Sequence, residues 1–152
     1  MNNFTVTTDI DVALSLTNSK TLRGDLLKAK YMALVWYVEE MIHKHFDKPN
    51  PNMEYRYKPN KLTYEMWKKK YHPDAINQLV LTGRLKSAVE RAKVDPKTGK
   101  ISVSVPEYGI YQLEAGRDFL SPSWYDEIEI QNRIRRNLFH IRSERMKLVK
   151  RK

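Results

Sequence analysis

Asn77-Gln78-Leu79-Val80-Leu81-Thr82-Gly83-Arg84-Leu85-Lys86-Ser87-Ala88-Val89 is the stretch whose reading decides the fold. Leu79-Val80-Leu81 is a short apolar run of the kind that forms a buried strand, and Thr82-Gly83 is a turn signal. From Arg84 the spacing becomes helical, with Leu85, Ala88 and Val89 on one side. Thr82 is placed to cap that helix through its hydroxyl, and Gly83 supplies backbone freedom at the junction. Upstream the pattern is helix and basic linker; downstream it is hairpin, turn and a second helix. This order predicts an α+β fold: a small antiparallel sheet with a β-hairpin, packed against a long N-terminal helix and a C-terminal helix.

Working outward, Asp9 to Leu14 reads as a possible short helix start, capped by Thr8 or Asp9. From Ser19 or Thr21 to about Phe46, Leu27, Tyr31, Leu34, Val38 and Met41 recur at helical steps beside a second stripe containing Leu26, Ala29, Ala33 and Trp36. Two adjacent stripes make the wide apolar face of a helix packed on a sheet. Pro49 and Pro51 stop it. Met53 to Tyr57 alternates and reads as a short strand, and Lys61 to Tyr71 as a short helix ended by His72-Pro73. Glu90 to Val94 leads from the Arg84 helix into a strand. Pro96 to Gly99 is a turn, and Ile101, Val103 and Val105 face one way on the next strand. Tyr108 to Leu113 fits either strand or helix. Ser121-Pro122 reads as a cap followed by proline at the first helical position. The helix then runs to about Met146, with Trp124, Ile128, Ile134, Leu138 and Ile141 expected on its apolar side. No internal repeat or linker interrupts this order. Residues 1–152 therefore read as a single domain, with about 1–18 an N-terminal arm or short helix and about 143–152 a frayed basic tail.

Hydrophobic residues make up 41% of the 152, enough for a modest core, and there is no cysteine, which excludes disulfides, thiolate metal sites and cysteine nucleophiles. The longest apolar stretch, Met32 to Val38, is too short for a bilayer span. The first eleven residues lack basic residues and an apolar run, so no signal peptide is expected. The net charge of +10 is uneven: +1 over 1–60, +6 over 61–100, −5 over 101–130 and +8 over 131–152. Such a chain suits contact with nucleic acid, or with copies of itself, acidic patch against basic patch.

Candidate chemistry is sparse. His43 and His45 are two apart on a helix and do not face each other, so a solvated helix end is expected rather than a metal site. Asp126 and Glu129 share a helix face and could be read as an acid/base pair, but acids at a helix N-terminus have an ordinary electrostatic reason to be there. No phosphate-binding glycine loop or nucleophile elbow is present. Neither catalytic residue, cofactor nor metal is expected. Tyr64, Trp67 and Tyr71, interleaved with Lys68, Lys69 and Lys70, could stack bases and hold phosphates. The favoured reading is that the aromatics enter the core while the lysines reach solvent. Arg142, Arg145, Lys147, Lys150, Arg151 and Lys152 are six cations in eleven residues, suited to DNA, to an acidic partner or to solvent. Glu107, Glu114, Asp126, Glu127 and Glu129 are the candidate acids of a subunit interface.

Three short motifs in this order carry a resemblance: Leu79 to Ala88, centred on Thr82-Gly83 and Leu85; Tyr108 to Gly116; and Asp118-Phe119-Leu120. Together they resemble the head–tail connector and tail-completion family of tailed bacteriophages, also described as neck or virion morphogenesis proteins. The resemblance spans about residues 20 to 142, with Leu79, Thr82, Gly83, Leu85, Tyr108, Gly116, Phe119 and Leu120 as its motif residues. Asp118 stands where the family usually has proline, and Gly109 where it usually has alanine. The resemblance implies an α+β structural protein without catalysis. It implies a homo-oligomeric ring at the virion's portal–tail junction, assembled in the host cytoplasm. Its neighbours would be a portal or adaptor protein and tail proteins, with genomic DNA passing through the channel and no membrane involved. The alternative is a basic nucleic-acid-binding module without catalysis.

Overall fold

The structure, a computed structural model, describes residues 3–9, 20–47, 52–75, 79 and 83–150. The order of elements is β1 (Asn3–Asp9), α1 (Lys20–Trp36), a π-helical turn (Tyr37–Met41), α2 (Lys44–Asp47), α3 (Asn52–Tyr55), α4 (Leu62–Tyr71), α5 (Arg84–Val89), β2 (Lys93–Val94), β3 (Lys100–Pro106), α6 (Glu107–Glu114) and α7 (Trp124–Lys150). The fold is α+β, with an antiparallel sheet and long helices near each end of the chain.

Among the described residues three strands form one sheet in the order β1-β3-β2. The β2–β3 hairpin is the one its alternating pattern predicts. Its turn is tied by Asp95, whose carboxylate accepts the Lys97 N–H at 2.9 Å and the Thr98 hydroxyl at 2.7 Å. Those bonds hold the Asp95 carboxyl below its usual range. The β1 strand is a finding that local pattern did not give: Asn3 pairs with Pro106 and Asp9 with Lys100, in register throughout. Residues 3–9 are thus sheet rather than a loose arm, and the short helix expected over Asp9 to Leu14 lies outside the described residues beyond Asp9. Phe-Thr-Val-Thr-Thr is β-branched and aromatic, as a strand prefers.

Ile101, Val103 and Val105 on β3 are all buried, and with Leu85 and Val89 of α5 they form one side of the core. Ala29, Ala33, Leu34 and Val38 supply the helical side, joined by Ile130 and Ile134 of α7. Helices α1 and α7 run antiparallel. The Arg133 guanidinium lies 3.7 Å from the centre of the Trp36 ring, the Asn137 amide donates to the Ala29 carbonyl at 3.3 Å, and Arg145 bonds Asp25 at 2.6 Å. At 1.5 Å per residue, α7 is roughly 40 Å long.

Several expectations are corrected. Met53 to Tyr57 is not a strand: α3 occupies most of it, and Arg56 adopts a φ of 55° before the extended chain that follows. Tyr108 to Leu113 is helix. Within the described residues the tail is helical, since α7 continues to Lys150. Helix α7 is capped by Ser123 rather than Ser121: the Ser123 hydroxyl accepts the Asp126 N–H and the Asp126 carboxylate accepts the Ser123 N–H, both at 3.2 Å. This reciprocal capping satisfies two backbone donors at once. Trp124 and Ile128 face solvent, at 62% and 39% exposure, because the core stripe of α7 runs through Asp126, Ile130 and Ile134 instead. The expected strand Leu79 to Leu81 and the Thr82 cap lie outside the described residues, apart from Leu79, which is fully buried in a turn.

Two glycines set the central junction. Gly83 precedes α5 at a φ of 75°, a left-handed conformation that costs an L-residue roughly 1–2 kcal/mol. Gly109 has an ordinary backbone but no room: a Cβ there would lie 2.9 Å from both Leu85 Cδ1 and Val105 Cβ. The alanine usual in the resembled motif therefore does not fit this packing. Gly109→Ala is expected to lose about 1–3 kcal/mol of stability in urea denaturation; an unchanged midpoint would show that α6 can shift off the sheet.

Candidate interaction surfaces

The most interior polar group is His45, expected at a solvated helix end and found with no exposed surface. Past the π-helical turn, where the Ile42 N–H bonds the Tyr37 carbonyl at 2.9 Å, Ile42, His45 and Phe46 point inward. The His45 ring stacks on Tyr55, with centroids 3.7 Å apart and planes at 25°. Its Nε2 lies 3.3 Å from the Tyr37 hydroxyl and its Nδ1 is hydrogen-bonded to the Tyr57 hydroxyl. Those phenols also reach the turn before α7, Tyr37 to the Leu120 carbonyl at 3.3 Å and Tyr57 to the Asp118 carbonyl at 3.2 Å. Burial drives the His45 pKa down to about 3, against a hydrogen bond to the Ser121 backbone that raises it. Burial likewise raises the tyrosine pKa values at 37, 55 and 57, with Asp126 or Asp118 adding to it. The ring is neutral and has one N–H to give, so a phenol facing its other nitrogen must donate its proton to the ring in place of its carbonyl. Enclosed between the two phenols, the ring acts as a strut.

The strut fixes the Asp118-Phe119-Leu120 segment. Asp118 Oδ1 accepts the N–H groups of Leu120 and Ser121 at 3.0 and 3.2 Å, and Oδ2 accepts the Ser121 hydroxyl at 2.5 Å. Hydrogen bonds from this side chain set the turn where the resembled motif uses a proline ring. Phe119 and Leu120 are fully buried, with Phe119 beside Phe46 at 6.3 Å.

Arg117 was not anticipated, although it is the one cation in the acidic segment 101–130. It is buried and donates to the Lys58 and Pro59 carbonyls at 2.9 and 3.2 Å and to the Gln112 side chain at 3.0 Å. It anchors the chain that leads into α4, which reverses the expected arrangement of aromatics and lysines. Lys68 is the buried member, at 2% exposure, and burial lowers its pKa against the opposing influence of Glu65. Trp67 and Tyr71 are 42% and 57% exposed, beside exposed Lys69 and Lys70. Trp67 packs between Tyr64 at 5.7 Å and Tyr71 at 5.8 Å, and the Lys70 ammonium lies 5.1 Å from the Tyr71 ring centre. Tyr64 and Lys68 are four residues apart, so they share the inward face and leave Lys69 and Lys70 outside.

The remaining candidate charges divide. Asp126 is buried in the α7 cap and takes the Tyr55 hydroxyl at 3.5 Å, so it is not available to a neighbouring subunit. Glu129 pairs with Arg133 at 3.3 Å and Arg136 at 2.8 Å. Glu107, Glu114 and Glu127 are exposed. Among the basic residues, Arg145 is spent on buried Asp25 and Lys147 pairs with Glu144 at 2.7 Å, while Arg142 and Lys150 are exposed. Arg151, Lys152 and Thr82 lie outside the described residues. Tyr108 is half-buried and Gly116 closes α6. Where α1 begins, a groove of about 770 Å³ opens against the last turns of α7, lined by Leu22, Leu138, Phe139 and Met146 together with Arg135 and Arg142.

No protein-family model, curated protein or solved structure matches the chain. Among the described residues no helix is long and apolar enough to cross a membrane, and no group of three or more His, Asp or Glu side chains gathers as metal ligands would.

The His45 pKa gives a signed pH dependence. The folded value, about 3, lies below the ordinary 6.5, so unfolding takes up a proton in between. The stability is fully present above pH 6.5 and is lost as pH falls toward 3, with a slope of about 1.4 kcal/mol per pH unit from this group. His45→Gln is expected to cost about 2–4 kcal/mol at pH 7 and to flatten that slope between pH 6 and 4. Denaturant titrations of both proteins across this range measure it; equal slopes would place the proton uptake elsewhere.

Proposed function

We propose that this chain is a structural subunit of a tailed-phage virion. It would form part of the neck, a head–tail connector or tail-completion ring joining the portal to the tail around the DNA channel. The observation that carries the reading is where the motif residues lie. Leu79, Leu85, Phe119 and Leu120 are all core residues, and half-buried Tyr108 of the middle motif packs against that core. Three motifs far apart in sequence thus describe one packed framework, as expected of a family defined by shape rather than by reacting groups. Around that framework lie surfaces of opposite sign, with exposed Glu107, Glu114 and Glu127 on one segment and Arg142 and Lys150 on another. Complementary patches of this kind suit subunits that meet copies of themselves.

Negative-stain images of the purified protein, alone and with the portal of its own particle, are expected to show closed rings with a central channel. The rings should loosen as salt is raised, because exposed charges are screened. Monomers under both conditions would overturn the reading.

A second reading rests on α4. Trp67 and Tyr71 are open to solvent beside Lys69 and Lys70, the combination that stacks unpaired bases and holds their phosphates. In this reading Lys68, being buried, plays no part. An oligothymidine titration is expected to quench tryptophan fluorescence, with the affinity falling steeply with salt. Trp67→Ala would cost about 1–3 kcal/mol of that binding; binding unchanged by Trp67→Ala and by loss of Lys69 and Lys70 would remove α4 as the site.

A further inference from the structure

Helix α7 has a second face that the fold leaves uncovered. Trp124, Ile128, Arg135, Phe139, Met146 and Val149 fall within about 80° of one another around the helix axis. Arg142 and Gln131 lie in the same sector, so five of its eight residues are apolar, and those five are 62%, 39%, 76%, 61% and 71% exposed in that order. This stripe has two ends of different character. At the N-terminal end Trp124 and Tyr125 stand out together, ring centres 5.1 Å apart, beside exposed Glu127. At the C-terminal end the stripe, with Arg142 in its middle, runs into the groove against Leu22, which Lys150 also lines.

We propose that two copies of the chain pair antiparallel through this face of α7, each placing Trp124 in the other's groove. The occupant follows from the charge pattern. Side by side in parallel, two such helices would set cations against cations along residues 135–150. Antiparallel, Glu127, the acid near the start of α7 not already held by the cap or by Arg133 and Arg136, lies over the basic end of the other copy, and the contact is made twice by one symmetry operation. With Arg135 nearest the two-fold axis, Trp124 lies over Met146, a favourable sulfur–aromatic contact, and Glu127 lies beside the Arg142–Arg145 turn. The two Arg135 side chains turn outward on their flexible stems, so that their apolar parts cover the stripe. The pairing is two-fold and stands apart from the ring, whose contacts run head to tail.

The test is sedimentation equilibrium of the full chain with two substitutions at exposed positions, Trp124→Glu and Met146→Glu. Each should weaken dimerisation by about tenfold or more while leaving the helical circular dichroism unchanged. The chain has no native cysteine, so Arg135→Cys under mild oxidant should give a covalent dimer at least about tenfold faster than Lys97→Cys, an equally exposed cysteine in the β2–β3 turn away from the axis. Association that ignores both substitutions overturns the proposal. So does a wild-type chain that stays monomeric, the outcome expected if its own residues 10–19 fill the groove. A dimer that Trp124→Glu breaks but Arg135→Cys cannot trap overturns the antiparallel register. Rings are scored by microscopy, so any of these failures leaves the neck reading to be judged on its own.

Discussion

A buried imidazole has to be neutral and has to find partners for both nitrogens, and most of this fold is arranged around meeting that demand at His45. Leaving such a group unsatisfied costs about 1–3 kcal/mol. The partners come from far apart: Tyr37 on the π-helical turn, Tyr57 on the extended chain after α3, and the turn at 118–121. Tyr55 covers the ring face and continues to Asp126, which caps α7. One polar chain therefore links the end of the first long helix to the start of the last. The apolar core supplies most of the burial, but it is indifferent to small rotations of one helix against another. The directional bonds through His45 are not, and they fix where α7 leaves the body.

The parts of this arrangement visible in the sequence are those governed by local period. The β2–β3 hairpin, α4 and the long helices follow from alternation or from three- and four-residue steps. What could not be read depends on distant partners. Asn3 to Asp9 becomes a strand because β3 offers an edge about a hundred residues later, and a short strand has little to identify it alone. His43 and His45 look equivalent in sequence; only the packing of Tyr55 and Tyr57 separates the partly exposed from the enclosed one. On α7 the apolar residues outnumber those the core can take, so Trp124 and Ile128 were assigned inward when the cap at Ser123 rotates them out.

Charge misleads in the same way. A sequence of +10 invites a reading in which every lysine and arginine is surface, yet Lys68 and Arg117 are interior and Arg145 is held by a buried carboxylate. On the acidic side Asp25 and Asp126 are interior too. The outward field is therefore set by a smaller group, among them Lys69, Lys70, Arg142 and Lys150 against Glu107, Glu114 and Glu127. The same inversion on α4 exchanges buried aromatics for a buried lysine, which makes that helix a presented surface and not part of the core.

The turn that carries Phe119 and Leu120 is gripped mainly by its backbone. Tyr37 and Tyr57 bond the carbonyls of Leu120 and Asp118, and Arg117 bonds those of Lys58 and Pro59. Every amino acid brings a carbonyl, so the grip does not depend on which letters occupy those positions. Pro59 is free to drift as long as the chain keeps its path, and a proline can give way to an aspartate at 118. Two chains built this way would superpose closely while sharing few letters across their turns, and kinship between them would be easier to trace by shape than by spelling.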